Sequence, residues 1–142
     1  MKPLAMIAAI LLLTGMGHAE PDEMPASRDV IEGFVAAYNA KDLDGMMALA
    51  HPDIEWIAVD GSESEVFSAG TAALAEEMTG HFVSATFPHG ELSNWSVNDD
   101  FVAVTETASW TGADGEEKEQ SSIAVYQLDE GLIRRVWYYP SR

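Results

Sequence analysis

Phe101-Val102-Ala103-Val104-Thr105-Glu106-Thr107-Ala108-Ser109-Trp110-Thr111 is followed by Gly112-Ala113-Asp114-Gly115 and then by Lys118 to Leu128. The first segment places Val102, Val104, Glu106, Ala108 and Trp110 on one face of a strand and Phe101, Ala103, Thr105, Thr107 and Ser109 on the other, because side chains alternate with period two. The glycine-bounded turn is a hairpin signal, so Lys118 to Leu128 is expected to return antiparallel to it. The pattern extends both ways. Upstream, Glu91 to Val97 reaches Phe101 through Asn98-Asp99-Asp100. Downstream, Asp129-Glu130-Gly131 leads into Leu132 to Tyr139. Four consecutive strands joined by tight turns make a meander.

The residues before the meander read differently. Ser27 is a candidate N-cap, and Val30, Ile31, Phe34, Val35 and Tyr38 recur at helical spacing. Asp42 is expected to cap a short second helix carrying Leu43, Met46, Met47 and Leu49, ended by His51-Pro52 because a residue before proline avoids helical dihedrals. Asp53 to Asp60 reads as a strand with Ile54, Trp56, Ala58 and Asp60 on one face. Gly61 to Gly70 reads as a polar loop, Thr71 as the cap of a third helix over Ala72–Ala85, and Phe87-Pro88-His89-Gly90 as a turn. Helices, a strand, a helix and then a meander is an α+β order, with one antiparallel sheet covered by helices on one side.

The N-terminal residues carry a separate signal. Lys2 precedes an unbroken apolar run, Leu4 to Leu13, and Gly17-His18-Ala19 supplies the small residues of a cleavage site. That is the pattern of a secretory signal peptide, with a run too short to span a bilayer, which needs roughly 20 apolar residues. The expectation is therefore a signal peptide over 1–19, a flexible leader over 20–27, a single domain over 28–142, and a periplasmic or secreted product. The chain has no cysteine, which excludes disulfides, thiolate metal sites and cysteine nucleophiles. Twenty-four Asp and Glu stand against seven Lys and Arg, a net charge of −17. Nucleic acid and anionic membrane surfaces require clustered basic residues, so neither is an expected partner.

Phe34-Val35-Ala36-Ala37-Tyr38-Asn39-Ala40-Lys41-Asp42-Leu43-Asp44 resembles the opening of the nuclear transport factor 2-like superfamily, and most closely its SnoaL-like branch. His51-Pro52-Asp53-Ile54-Glu55-Trp56, Phe87-Pro88, Val102-Ala103-Val104 and Leu128-Asp129-Glu130-Gly131-Leu132-Ile133-Arg134 continue the resemblance. It covers nearly all of Val30 to Pro140. It implies a cystatin-like, cone-shaped fold: a strongly bent sheet wrapped around three helices of the N-terminal half, an apolar pocket, and a homodimer formed through the open sheet face, which Ile123, Val125 and Trp137 would suit. Relatives include isomerases, cyclases, hydrolases and non-catalytic modules, so the fold alone assigns no activity. The resemblance places Ala58 where isomerases keep their base, Phe34 at their tyrosine, Ala124 at their oxyanion aspartate, and Tyr138 at the aspartate of a cyclase. The familiar proton-handling groups are missing from those positions.

Two acids remain candidates for catalysis. Glu106 interrupts an otherwise apolar face and should project into the cone, where burial would raise its pKa and fit it for general acid–base work. Its structural alternative is a buried ion pair with Arg134 or Arg135. Asp60 would lie near the pocket mouth, or else cap the turn at Gly61. Phe34, Tyr38, Trp56, Tyr126 and Tyr138 would supply walls for a flat apolar ligand, or simply fill the core. Ser122 and Gln120 would offer hydrogen bonds. His51, His81 and His89 lack metal-ligand spacing, and no glycine-rich phosphate loop or Gly-x-Ser-x-Gly element is present, so no metal and no cofactor is expected. These residues point to an exported pocket protein for a small apolar molecule, with Glu106 as proton carrier and Tyr38 or Tyr138 orienting the substrate if it is an enzyme. The alternative is a non-catalytic carrier or a dimeric interaction module with a self-filled pocket.

Overall fold

Helix α1 (Ser27–Asn39) buries Val30, Ile31, Phe34 and Val35 along one stripe, as the helical spacing requires. The computed structural model describes residues 26–141, so the expected signal peptide and nearly all of the leader lie outside the described residues. Ser27 is the first helical residue and not the cap. Its hydroxyl instead donates to the carbonyl of Asp99 at 3.0 Å, which ties the helix start to a distant turn of the sheet. At the other end Asn39 clamps the backbone of Gly90, donating to its carbonyl and accepting from its N–H, both at 2.8 Å. Helix α2 (Leu43–Ala48) is capped by Asp42, whose carboxylate accepts from the N–H of Gly45 at 3.0 Å.

Strand β1 (Ala50–Asp60) starts earlier than the sequence suggests and includes His51 and Pro52. Its ladder with the last strand skips from Ala50 to Glu55, and the gap accommodates Pro52, which has no N–H to give. The segment expected as a loop contains a further strand, β2 (Glu63–Ala69), paired antiparallel with β1. Its Glu63, Ser64 and Glu65 side chains are exposed at the sheet edge, which is why the residues look loop-like. Helix α3 (Thr71–Phe82) follows Gly70, which takes φ 85° in the cap position. Thr71 is thus inside the helix, and the helix stops short of Ala85. Strands β3 (His89–Asn98), β4 (Phe101–Thr111), β5 (Glu117–Asp129) and β6 (Leu132–Pro140) form the expected meander.

The six strands make one sheet in the order β2-β1-β6-β5-β4-β3. All neighbours are antiparallel except β1 and β6, which run parallel, so the sheet is mixed and not antiparallel throughout. Tyr126, Ile31, Met46, Leu74, Val102, Val104 and Val136 are among the most deeply buried residues, between the concave face of the sheet and the helices. Each such side chain contributes about 1.5–3 kcal/mol by leaving water.

Three register shifts re-aim side chains. On β3, one extra residue lies between Ser93 and Ser96, and Asn94 there takes φ 54°, a left-handed conformation that asparagine tolerates. On β2, Phe67 is the extra residue between Val66 and Ser68. On β6, Arg134 is the extra residue between Ile133 and Arg135. The last shift corrects an expectation. Both arginines meet Glu55 and not Glu106: Arg135 Nε lies 2.9 Å and Arg134 Nη1 3.8 Å from its carboxylate. Arg135 also donates to Gln127 at 3.2 Å, and Arg134 donates to the carbonyl of Asp53.

Candidate functional site

The concave side of the sheet, α1 and α3 line a half-open cavity of about 450 Å³. That volume suits a small organic ligand. Helix α1 contributes Phe34, Val35 and Tyr38 at successive turns. Strand β1 contributes Trp56, and the extra residue of β2, Phe67, closes one side. Glu106 of β4, Gln120 and Tyr126 of β5 and Tyr138 of β6 form the sheet-side wall, while Glu77, Met78 and His81 of α3 stand opposite. Trp56 stacks on Tyr138 with ring centroids 5.5 Å apart and meets Phe67 at 5.8 Å.

Glu106 is the chemical centre of this wall. Its Oε2 accepts from the Tyr126 hydroxyl at 3.0 Å and from the Tyr138 hydroxyl at 3.4 Å, and the two hydroxyls are themselves 3.4 Å apart. Its Oε1 has no hydrogen bond among the described residues and is not sealed off from the cavity. Burial pushes the Glu106 carboxyl above its usual range, and the two tyrosine hydrogen bonds pull it partly back. The tyrosines shift in the same direction. Burial, and then the charge of Glu106, push Tyr38 up to about 12 and push Tyr126 and Tyr138 well above the ordinary phenol value. All three therefore stay protonated donors at neutral pH.

The Tyr38 hydroxyl lies 3.0 Å from His81 Nε2, and its ring packs on Phe87 with centroids 4.9 Å apart. In the sequence His81 reads as a lone histidine without metal spacing, yet it lines the cavity. Its signal was there: Leu74, Glu77, Met78 and His81 follow the helical repeat that faces the sheet. Phe67 was hidden because its strand reads as a loop.

The other expected site residues divide. Phe34, Tyr38, Trp56, Tyr126 and Tyr138 come together around Glu106. Ser122 does not line the cavity, although it is the cross-strand partner of Glu106, whereas Gln120 does. Asp60 lies at the β1–β2 turn, paired in register with Glu63. It lines a second depression with Ala58, Glu65 and Pro140, which meets the cavity that holds Glu106 only at Gln120. Two buried polar atoms, Trp56 Nε1 and Ser68 Oγ, have no partner among the described residues. Among the described residues no group of three or more His, Asp or Glu could hold a metal ion.

This cone of sheet and helices recurs in known proteins. The SnoaL-like domain family matches residues 31–136. The chain belongs to the SnoaL-like domain family. No curated protein matches it. A cystatin-fold protein from Novosphingobium aromaticivorans is 19% identical with a TM-score of 0.67, covering 80% of this chain and 97% of its own. TerC, crystallised with polyporic acid, is 18% identical with a TM-score of 0.66, over 81% of this chain and 91% of its own. A candidate polyketide cyclase from Xanthomonas campestris pv. campestris is 20% identical with a TM-score of 0.60, over 80% and 88%. At these identities the likeness establishes the nuclear transport factor 2-like, cystatin-like fold. Within this SnoaL-like chain, Ala58 is exposed outside the cavity and Ala124 is fully buried beside Tyr138. The carboxylate that does reach the cavity is Glu106.

Proposed function

We propose that this SnoaL-like protein binds a small, largely apolar organic molecule in its cone and carries out a cofactor-free proton transfer with Glu106. One observation carries the reading. A carboxylate is held on the wall of an aromatic-lined cavity by two tyrosine hydroxyls, with one oxygen open and, among the described residues, no arginine or lysine paired with it. A carboxyl with a raised pKa exchanges protons closer to neutral pH than a solvated one, which is what general acid–base catalysis needs. Tyr126 and Tyr138 fix its orientation and leave Oε1 to face the substrate. Tyr38, set by His81, borders the same space. That a relative of the same fold was crystallised with polyporic acid supports a small organic ligand.

The test is a substrate that asks only for a base. 5-Nitrobenzisoxazole loses its C3 proton to a carboxylate, its N–O bond opens, and a coloured cyanophenolate forms. Wild-type protein is expected to accelerate this over free acetate, with a pH–rate midpoint above the ordinary glutamate value, and Glu106→Gln is expected to return the rate to background. A wild-type rate no better than acetate, or one that survives Glu106→Gln, refutes the catalytic role. The second reading, a carrier without chemistry, is favoured by Ala58 and Ala124, which leave the isomerase positions without acids. In that case ligand affinity persists while the probe reaction is absent.

Export belongs to the same proposal, supported by the apolar run Leu4 to Leu13 and the Gly17-His18-Ala19 site. So does a homodimer. Ala103, Val125, Trp137 and Ile57 are cross-strand neighbours, and Ile123 and Tyr139, paired beside them, are 56% and 44% exposed. Sedimentation of the purified protein tests the dimer, and N-terminal sequencing of the exported product tests the cleavage.

A further inference from the structure

We infer that the ligand of this cavity is an organic amine: a flat apolar body bearing a nitrogen that is bound as ammonium against Glu106 Oε1. The inference rests on the reading of the cavity as the ligand site, and it names the class of molecule that site would take.

Hydrogen-bonding capacity on the wall is unevenly spent. A ligand must match what the wall has left to offer. Tyr126 and Tyr138 both spend their hydroxyls on Glu106 Oε2. The Tyr38 hydroxyl is engaged with His81. Trp56 Nε1 is sealed from the cavity. The phenol donors beside Glu106 are thus used and the indole is hidden, and the donors left free are farther round the lining: the Gln120 amide and the one hydrogen that the Tyr38–His81 contact does not use. The open acceptors are Glu106 Oε1 and, at the α3 side, the exposed carboxylate of Glu77. At Glu106 itself the wall offers a free acceptor and no free phenol donor, which suits a molecule that donates there. An ammonium is a donor with no acceptor capacity, whereas a ketone or a carboxylate brings the acceptors this wall already has in excess.

Charge favours the same class of ligand. The two ionisable acids of the lining face no Lys or Arg in that lining. The two arginines expected to neutralise Glu106 are held outside by Glu55. A buried carboxylate without a cation is stabilised by a ligand that supplies one. The other lining groups point the same way, because the faces of Trp56, Tyr138, Phe34 and Phe67 attract a cation and repel an anion. A net charge of −17 also raises the local concentration of cations at the mouth. Of the basic groups, His81 borders the cavity and Lys41 lies over the ring of Phe87. Neither approaches Glu106 within an ion-pair distance.

The proton balance closes without a co-reactant. If the amine enters neutral and Glu106 is protonated, the Oε1 proton moves to the nitrogen lone pair. The products are a carboxylate and an ammonium in contact, with Tyr126 and Tyr138 still donating to Oε2.

Three probes of one shape test the inference by titration calorimetry at neutral pH: naphthylmethylamine, naphthylmethanol and naphthoate. The amine is expected to bind one per chain and about tenfold or more tighter than the alcohol, the advantage of a charge-assisted contact over a neutral one. Naphthoate is expected not to bind. In Glu106→Gln the amine is expected to lose its advantage while the alcohol keeps its affinity. An alcohol that matches or exceeds the amine overturns the inference and leaves the small-molecule reading intact. An amine advantage that persists in Glu106→Gln also overturns it, because diffuse attraction to an acidic protein then accounts for the preference. Failure of all three probes to bind refutes the ligand site itself, and with it both proposals. The wild-type ranking decides the matter even if the variant does not fold.

Discussion

Replacing Glu106 by Gln should change how stability responds to pH in a direction that the geometry dictates. Glutamine keeps the shape and an acceptor for Tyr126 and Tyr138 but cannot ionise. In the wild type, burial raises the Glu106 pKa above its ordinary 4.5, and the two tyrosine bonds at 3.0 and 3.4 Å recover only part of that cost. A raised folded-state pKa means that the native protein holds the proton more tightly than the unfolded chain does. The contribution is fully present below pH 4.5 and is lost as pH rises through the folded-state value. Within that window the stability of wild type relative to Glu106→Gln should fall by as much as about 1.4 kcal/mol per pH unit, then level off. Urea unfolding of both proteins from mildly acidic to neutral pH measures this, and the difference cancels the many acids that the two chains share. At neutral pH the variant is expected to equal or exceed the wild type. Two results would refute the reasoning. A relative stability that rises with pH would mean that the fold prefers the ionised carboxylate. A loss of about 3–5 kcal/mol at neutral pH would mean that Glu106 belongs to a buried ion pair, which the positions of Arg134 and Arg135 contradict.

Tyr126→Phe removes one of the bonds that hold the Glu106 carboxyl down, so the pH–rate midpoint with 5-nitrobenzisoxazole should move upward; a downward move would assign the tyrosine another role. Alkaline spectrophotometric titration should show Tyr38 ionising at about 12, with Tyr126 and Tyr138 also resisting beyond the ordinary phenol range until the protein unfolds. Asn39→Ala deletes both bonds to the buried backbone of Gly90 and should cost about 1–3 kcal/mol in denaturant unfolding. Glu55→Gln breaks only a half-exposed pair with Arg135 and Arg134, so it should cost under about 1 kcal/mol and leave the probe reaction unchanged.

The parts of the molecule legible in the sequence are those where one physical rule acts alone. Helix α1 follows from the spacing of Val30, Ile31, Phe34 and Val35, and α2 from the Asp42 cap. The meander follows from alternation and from turns at Asn98-Asp99-Asp100, Gly112–Gly115 and Asp129-Glu130-Gly131. Strand β2 is not legible, because an edge strand with polar side chains buries little and its pairing is imposed by β1. The parallel pairing of β1 and β6 is likewise a matter of tertiary arrangement. The inward aim of Glu106 follows from strict alternation along β4, whose pairing with β5 has no shift. The partners of Glu106 do not, since one extra residue at Arg134 in β6 changes which residues share a face. A period-two argument fails at a bulge, and nothing local in Leu132-Ile133-Arg134-Arg135-Val136 marks where the bulge falls.

The same irregularities bear on how the molecule keeps to itself. The sheet does not close into a barrel: β2 ends it on one side and β3 on the other. An open edge offers unpaired N–H and C=O groups to any other extended chain, and a domain without a cysteine cannot lock such an edge away covalently. Here one edge is short, carries exposed Glu63 and Glu65, and is kinked at Phe67. The other is broken midway at Asn94, so it presents no long straight run for a foreign strand to add to. The kinks that aim side chains inward thus also discourage edge-to-edge assembly, and at high concentration this protein should resist fibril growth for reasons written into its backbone as well as its charge.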